Sequence, residues 1–353
     1  MNRLPRVLVI GHYPLDTLDR APKVRIYEMV AALARSATVT VIAGNRAERS
    51  HFLRQQKARG LKHFDMIYVE TASSTATLTD IAFLRAAKRQ GIPVAIYIRD
   101  AYQRFPDLYP TRGAKHTVLK WLYEGSLWAY CRYGTQLYFP TRGLSEVVGC
   151  ADPKLLPPGG RPLEPPPYLK ADPYGVIYVG AGGPHDGVDL LLEAFGILKK
   201  SLPEAHLTLV MRREEWPRQD LPSSVTIREA QGIGLSTYLW QASVAVIPRR
   251  DTAYNRLALP VKLLDYWSHS LPVVVTQPSE MADWVRTVGA GMAVDASPED
   301  LAKGLRVLLE DPTSRRQMAY RAAGAVAGLH HWDRRAEVVL ELANRSLEDH
   351  YTY

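Results

Sequence analysis

Residues 258–276 read ALPVKLLDYWSHSLPVVVT: a short helix, a break and a buried strand. Pro260 suits the first helical position, where its missing N–H costs nothing. Val261, Leu264 and Trp267 fall on one apolar face, while Lys262 and Asp265, three apart, share another. Pro272 blocks further helix, and Val273–Val275 is a β-branched run of the kind that parallel sheets cover on both faces. A lysine and an aspartate at the end where a helix best receives anions point to a ligand. Lys262 would neutralise a phosphate, and Asp265 would accept hydrogen bonds from two vicinal hydroxyls, as a carboxylate does with ribose. The plain alternative is an i,i+3 ion pair on a solvated face, worth a few tenths of about 1 kcal/mol.

The same alternation extends outward in both directions. Apolar runs at 6–14, 37–44, 64–70, 93–100 and 135–141 predict strands, and helical spacing at 21–36, 78–91 and 113–133 separates them. Residues 152–173 hold eight prolines and two adjacent glycines, a connector and not core. Strands then return at 174–183, 205–211, 224–229 and 243–248, with helices at 189–201 and 297–312 and a long helical region to about residue 348. Strands alternating with helices argue for parallel α/β sheets. Two α/β domains are expected, 1–160 and 161–335, with 336–353 a closing helix. Ligands of such sheets bind outside the carboxyl ends of the strands, so two facing sheets predict a central cleft.

Composition narrows the class. The 353 residues carry a net charge of +8, and 23 lysines and arginines against 12 acids fall within residues 1–160. That basic first half favours an anionic partner, or else is simply a solvated basic surface. Two cysteines, Cys131 and Cys150, make no disulfide framework and show no metal-ligand spacing, so a reducing cytoplasm is expected. No stretch of about 18 apolar residues exists to span a membrane, and the N-terminal apolar run is too short for a secretory leader.

Gly180, Gly182 and Gly183 lie between a predicted strand and helix, a layout that presents backbone N–H groups to a phosphate without the GxGxxG spacing of a dinucleotide site. Arg212-Arg213 and Arg249-Arg250 each follow a predicted strand, where a ligand would lie. Arg99-Asp100 ends an apolar strand, an awkward place for charge unless it is used. Glu70 likewise ends a strand and precedes the hydroxyl-rich TASSTAT. Arg25 lies on the first helix. His12, His185 and His269 suit no metal site and are read as structural or incidental.

In order, YVGAGGPHDGVDLLLEAFGIL, VAVIPRRDT, ALPVKLLDYWSHSLPVVVT and GAGMAVDASPEDLAKGLRVLLEDP resemble the nucleotide-sugar-binding half of retaining GT-B glycosyltransferases, the group 1 or family 4-like enzymes. The resemblance covers residues 174–350 well and the first half by topology. It implies an α/β GT-B fold in which both domains are Rossmann-like and the helix 336–353 packs back toward the first. It also implies a nucleoside-diphosphate sugar as donor and no metal or other cofactor. Gly180, Gly182, Gly183, Asp186, Arg212, Arg249, Lys262 and Asp265 would then hold the donor. Asp100, Arg99 and Glu70 would act at the reacting sugar, and Arg25 on the acceptor side. Asp265 matches the family's ribose-binding acid, with Asp for the usual Glu. The sequence departs from the family where Leu257 replaces the first acid of the paired motif, and Ala181 and Asp186 replace the usual Arg and Lys of the diphosphate clamp. Another cation must then balance the diphosphate. The base would be read by main-chain groups near 229–232.

The implied activity is metal-independent transfer of a sugar to an acceptor hydroxyl, with retention, in glycan or glycolipid synthesis. The acceptor implied is a glycan or a lipid-linked one. Separately, the basic first half fits an acceptor that is anionic or membrane-associated and a peripheral contact with an anionic membrane at the inner face, with no nucleic acid expected. A nucleotide-sugar 2-epimerase of the same fold and a non-catalytic binding protein stay open at this point.

Overall fold

The computed structural model describes residues 3–109, 113–183, 185–217 and 220–351. Chain contacts divide it into one unit of Met1–Pro158 with Trp332–Tyr353, and a second of Gly159–His331.

The first unit runs β1 (Arg6–Gly11), α1 (Ala21–Leu33), β2 (Thr38–Ala43), α2 (Arg46–Arg59), β3 (Met66–Glu70), α3 (Leu78–Arg89), β4 (Val94–Tyr97), α4 (Ala114–Tyr133), β5 (Gln136–Phe139), α5 (Arg142–Val148) and β6 (Pro153–Leu155). Its six strands form one parallel sheet in the order β2-β1-β3-β4-β5-β6. Capping boxes start two helices: Asn45 with Glu48 at α2, and Thr77 with Asp80 at α3. The start of the proline-rich connector is a correction, because residues 153–155 pair as an edge strand. Pro153 is tolerated there because it heads the strand.

The second unit runs β7 (Gly175–Val179), α6 (Val188–Ser201), β8 (His206–Val210), β9 (Val225–Arg228), α7 (Gly232–Gln241), β10 (Val244–Ile247), α8 (Ala253–Leu257), α9 (Val261–Ser268), β11 (Val273–Gln277), α10 (Glu280–Val288), β12 (Gly291–Asp295), α11 (Pro298–Glu310) and α12 (Pro312–Ala327). The sheet order is β12-β11-β10-β7-β8-β9, all parallel. The stretch 258–276 becomes α9 and β11, with Pro260 one place earlier than expected, as the N-cap. Leu263, Leu264, Tyr266 and Trp267 of α9 are fully buried. β11 is buried over Val273–Val275, between neighbours β10 and β12.

α13 (Trp332–Tyr351) closes the chain in the first unit. Its Trp332, Ala336, Val339, Leu340 and Ala343 pack with Val7, Val9, Met29 and Leu33 in one core. The cysteines are a second correction. Cys131 and Cys150 are joined, with Cα atoms 5.8 Å apart. A count of two excludes a framework of bridges but not a single cross-link, and here the end of α4 and the turn after α5 bring the pair together.

Candidate donor site

In the second sheet the chain runs outward from β7 to β9, then returns to β10 on the other side of β7. The carboxyl ends of β7 and β10 therefore flank the switch point, where open α/β sheets bind ligands. Gly180 follows β7 and Arg249 lies two residues beyond β10.

Three hydrogen bonds fix the strand ends. The Val179 amide donates to the Tyr266 hydroxyl at 2.8 Å, which ties α9 to β7. The Tyr178 hydroxyl donates to the Ala181 carbonyl at 2.7 Å, which shapes the glycine turn. Lys262 Nζ donates to the Tyr178 hydroxyl at 3.3 Å and lies 4.6 Å from its ring centroid. Gly180 has φ +154°, and a β-carbon there would collide with Lys262 Nζ. Gly187, at φ +73°, passes so close to the Pro248 carbonyl that no side chain fits. Gly187 is thus required by close approach to backbone, whereas at Gly180 the positive φ favours glycine and a side chain would have to displace Lys262.

The charges at this spot are uneven. Lys262 Nζ is 3.9 Å from Asp186 Oδ1, and its side chain is 15% exposed. Burial pushes the Lys262 amine down to about 8. Asp186 opposes that shift, and the positive charge of Arg249 adds to it. The Arg249 Nε and Nη1 atoms are buried with no hydrogen-bond partner among the described residues. Its carbonyl accepts from the Thr276 hydroxyl, which fixes the backbone. Asn255, 4% exposed, donates to the carbonyls of His185 and Arg250 and so ties the loop after β10 to the loop after β7. Leaving a buried donor without an acceptor costs about 1–3 kcal/mol. An anion with several acceptor oxygens would remove that cost.

The other named residues divide clearly. Arg212 is paired with Glu215, and Arg250 with Asp189. Of the arginines that follow β8 and β10, Arg212 and Arg250 thus have carboxylate partners, whereas Arg249 Nε and Nη1 have no partner among the described residues. The Gly183 carbonyl accepts from the Asp186 amide at 3.0 Å, and Gly182 packs against Met211 and the Glu215 backbone. Asp265 lies one turn beyond Lys262 and is part-buried. Its carbonyl accepts from the His269 amide and pairs with His269 Nδ1. His269 Nε2 is 2.9 Å from Ser236 Oγ, so this histidine links α9 to α7. Tyr178 was not foreseen. An aromatic residue one place before the end of a buried strand, ahead of a glycine turn, is the signal that could have found it.

The described residues of this unit carry a recognisable family pattern. Residues 173–311 match the family model of Glycosyl transferases group 1. No curated protein sequence matches the chain. Among solved structures, the chain is similar to sucrose-phosphate synthase from Thermosynechococcus elongatus, with a TM-score of 0.71 at 15% identity over 98% of this chain and 100% of that one. It is also similar to WaaG, a glycosyltransferase involved in lipopolysaccharide biosynthesis, at 0.66, 15%, 94% and 99%. A third is HepE of Anabaena in complex with UDP, at 0.68, 11%, 97% and 100%. At such identities the likeness shows the fold, which is α/β of the GT-B type.

In the first unit a second polar cluster forms at the carboxyl ends of β1, β3 and β4. Arg99 Nη2 donates to the Tyr13 hydroxyl at 3.0 Å and to Ser73 Oγ, and Nε donates to Asp100 Oδ2 at 3.1 Å. Ser73 Oγ donates to Asp100 Oδ2 at 2.6 Å, while Asp100 Oδ1 is buried without a partner among the described residues. Burial opposes the Arg99 charge, and the Asp100 carboxylate together with Tyr13, Tyr102 and Tyr97 outweighs it, so Arg99 stays protonated. Tyr123 of α4 donates to the Asp100 carbonyl at 2.7 Å.

Glu70 and Arg25 belong elsewhere. Arg25 Nε donates to both Glu70 oxygens at 3.1 and 3.2 Å, Tyr68 donates to the same carboxylate, and the guanidinium lies 3.6 Å over the Tyr97 ring. Arg25 is 1% exposed and Glu70 2%. The two hold each other inside the first unit as a buried ion pair, and Arg25 Nη1 is buried with no partner among the described residues. His12 is also structural. Its Nδ1 accepts from the Ala72 amide, and burial lowers it to about 4, so it is neutral near pH 7.

Proposed function

We propose that this protein is a glycosyltransferase that takes a sugar from a nucleoside diphosphate and delivers it to an acceptor hydroxyl. One observation carries the reading: Lys262 and an arginine, Arg249, whose Nε and Nη1 are buried with no partner among the described residues, converge at the switch point of the unit in which residues 173–311 match group 1 glycosyl transferases. The bond from the anomeric carbon to the diphosphate breaks, and the acceptor oxygen forms the new bond. Lys262 and Arg249 stabilise the negative charge gained by the leaving diphosphate. The acceptor proton passes to a leaving phosphate oxygen, as in front-face retention. Asp265 takes the ribose hydroxyls, and Arg99 with Asp100 orients the acceptor or the sugar.

UDP is the first nucleotide to try, because HepE is recorded in complex with it. The acceptor is proposed to be a glycan or lipid-linked precursor, and the enzyme to work without metal.

The test is turnover of UDP-, GDP-, ADP- and dTDP-sugars, with and without sugar or lipid-linked acceptors and with a chelator present. We expect nucleoside diphosphate release from one donor class, unaffected by the chelator. Asp100→Asn is expected to lower kcat by about a hundredfold while leaving nucleotide affinity unchanged. Asp186, standing near Lys262 where the family has a cation, favours a second reading as a binding protein. Clear nucleotide binding with no turnover of any donor would support that reading. Conversion of the donor to an epimer without acceptor would identify an epimerase.

A further inference from the structure

Most of α4 is an ordinary amphipathic helix. Tyr123, Ser126, Leu127, Ala129 and Tyr130 are buried against the first unit. Its opposite face is not ordinary. Val118, Trp121, Leu122 and Trp128 are 53%, 75%, 54% and 62% exposed, and at spacings of three, four and seven they lie on one side of the helix. Gly125, in the middle of that side, meets nothing within 4 Å of an added β-carbon. Two exposed tryptophans on one helix face are rare on a surface that meets only water.

The charges that this helix carries are mostly basic. Lys115 and Lys120 lie on the same helix, Arg132 near its end, and Lys88 Nζ donates to the Arg132 carbonyl at 2.7 Å. Glu124 is the helix's single acid, and Arg104 holds it at 2.6 and 3.0 Å. Residues 1–160 as a whole carry 23 lysines and arginines against 12 acids. No helix of the described residues is long and apolar enough to cross a membrane.

Aromatic side chains on one face with lysine and arginine beside them suit a helix lying in the plane of an anionic bilayer. Tryptophan rings prefer the headgroup level, and each nearby cation adds about 1 kcal/mol of attraction to anionic lipid. We propose that the outer face of α4, centred on Trp121 and Trp128, docks this protein on an anionic lipid surface. This goes beyond the activity proposed above and does not need it. The inner face of the same helix donates to the Asp100 carbonyl through Tyr123, so docking would occur on the element that supports the Arg99–Asp100 cluster.

The test is flotation of the full chain with phosphatidylcholine vesicles, with and without phosphatidylglycerol, at low and high salt. The wild type is expected to float with the anionic vesicles at low salt and to be released by high salt. Trp121→Ala/Trp128→Ala and, separately, Lys115→Glu/Lys120→Glu are expected to reduce flotation about tenfold, with far-ultraviolet circular dichroism and nucleotide affinity unchanged. Failure of the wild type to float, or flotation of both variants at the wild-type level, would overturn the proposal. So would a wild-type dimer in sedimentation that the tryptophan variant turns into a monomer, because a second copy would then cover the face. Nucleotide affinity, measured on the same samples, reports separately on the donor site.

Discussion

At the scale of single residues, Lys262 and Arg249 matter most. Burial holds the free Lys262 amine at about 8, and a diphosphate would raise it. Affinity for a nucleoside diphosphate is therefore expected to be level below about pH 7. It should then fall by up to about tenfold per pH unit above 8, as the free amine loses its proton. Calorimetry across that range checks this, and Lys262→Arg should flatten the profile. The residues also show what sequence can and cannot reveal. Lys262 was legible because it heads a helix beside a buried strand. Arg249 and Arg212 look alike in sequence, each the first of an arginine pair after a strand. Only the fold puts Glu215 beside one of them and leaves Nε and Nη1 of the other without a partner among the described residues. Glu70 and Arg25, 45 positions apart, gave no sign that they were each other's partners.

At the scale of elements, the turn after β7 and helix α9 act as one piece, tied by Tyr266 and Tyr178. Gly180→Ala is expected to push Lys262 aside and to weaken nucleotide binding by more than about 1 kcal/mol, with a smaller effect on thermal stability. Gly125→Ala, by contrast, adds a β-carbon to open helix surface and should raise stability by about 0.5–1 kcal/mol, read by denaturant unfolding. The strands and longer helices were legible because apolar periodicity is strong in both sheets. α2 was missed because its sequence, RAERSHFLRQQKAR, is nearly all polar, and only Leu53 and Arg49 are buried. β12, GMAVD, was too short and too little buried to stand out.

At the scale of the whole molecule, two units each have their own sheet and core. The last helix belongs to the first unit although it follows the second in sequence. Val339 of α13 is fully buried in the core that also holds Val7 and Met29. Val339→Asp is expected to destabilise the first unit by about 3 kcal/mol or more, because it buries an unpaired charge. Nucleotide binding in the second unit should persist, as checked by calorimetry below the new melting transition. The sequence showed that a helix ends the chain, and the resemblance gave its return to the first half. Neither could place its first turn at Trp332, where the side chain lies 5.8 Å from the Arg25 guanidinium.

The direct test of the donor site is a calorimetric titration of UDP, GDP, ADP and dTDP into the wild type and into Arg249→Ala and Lys262→Ala. One nucleotide should bind the wild type at a single site, and each variant should lose about tenfold or more in affinity, as expected for removing a charge-assisted contact to phosphate. Absence of binding by all four nucleotides, or full affinity in both variants, would contradict the assignment.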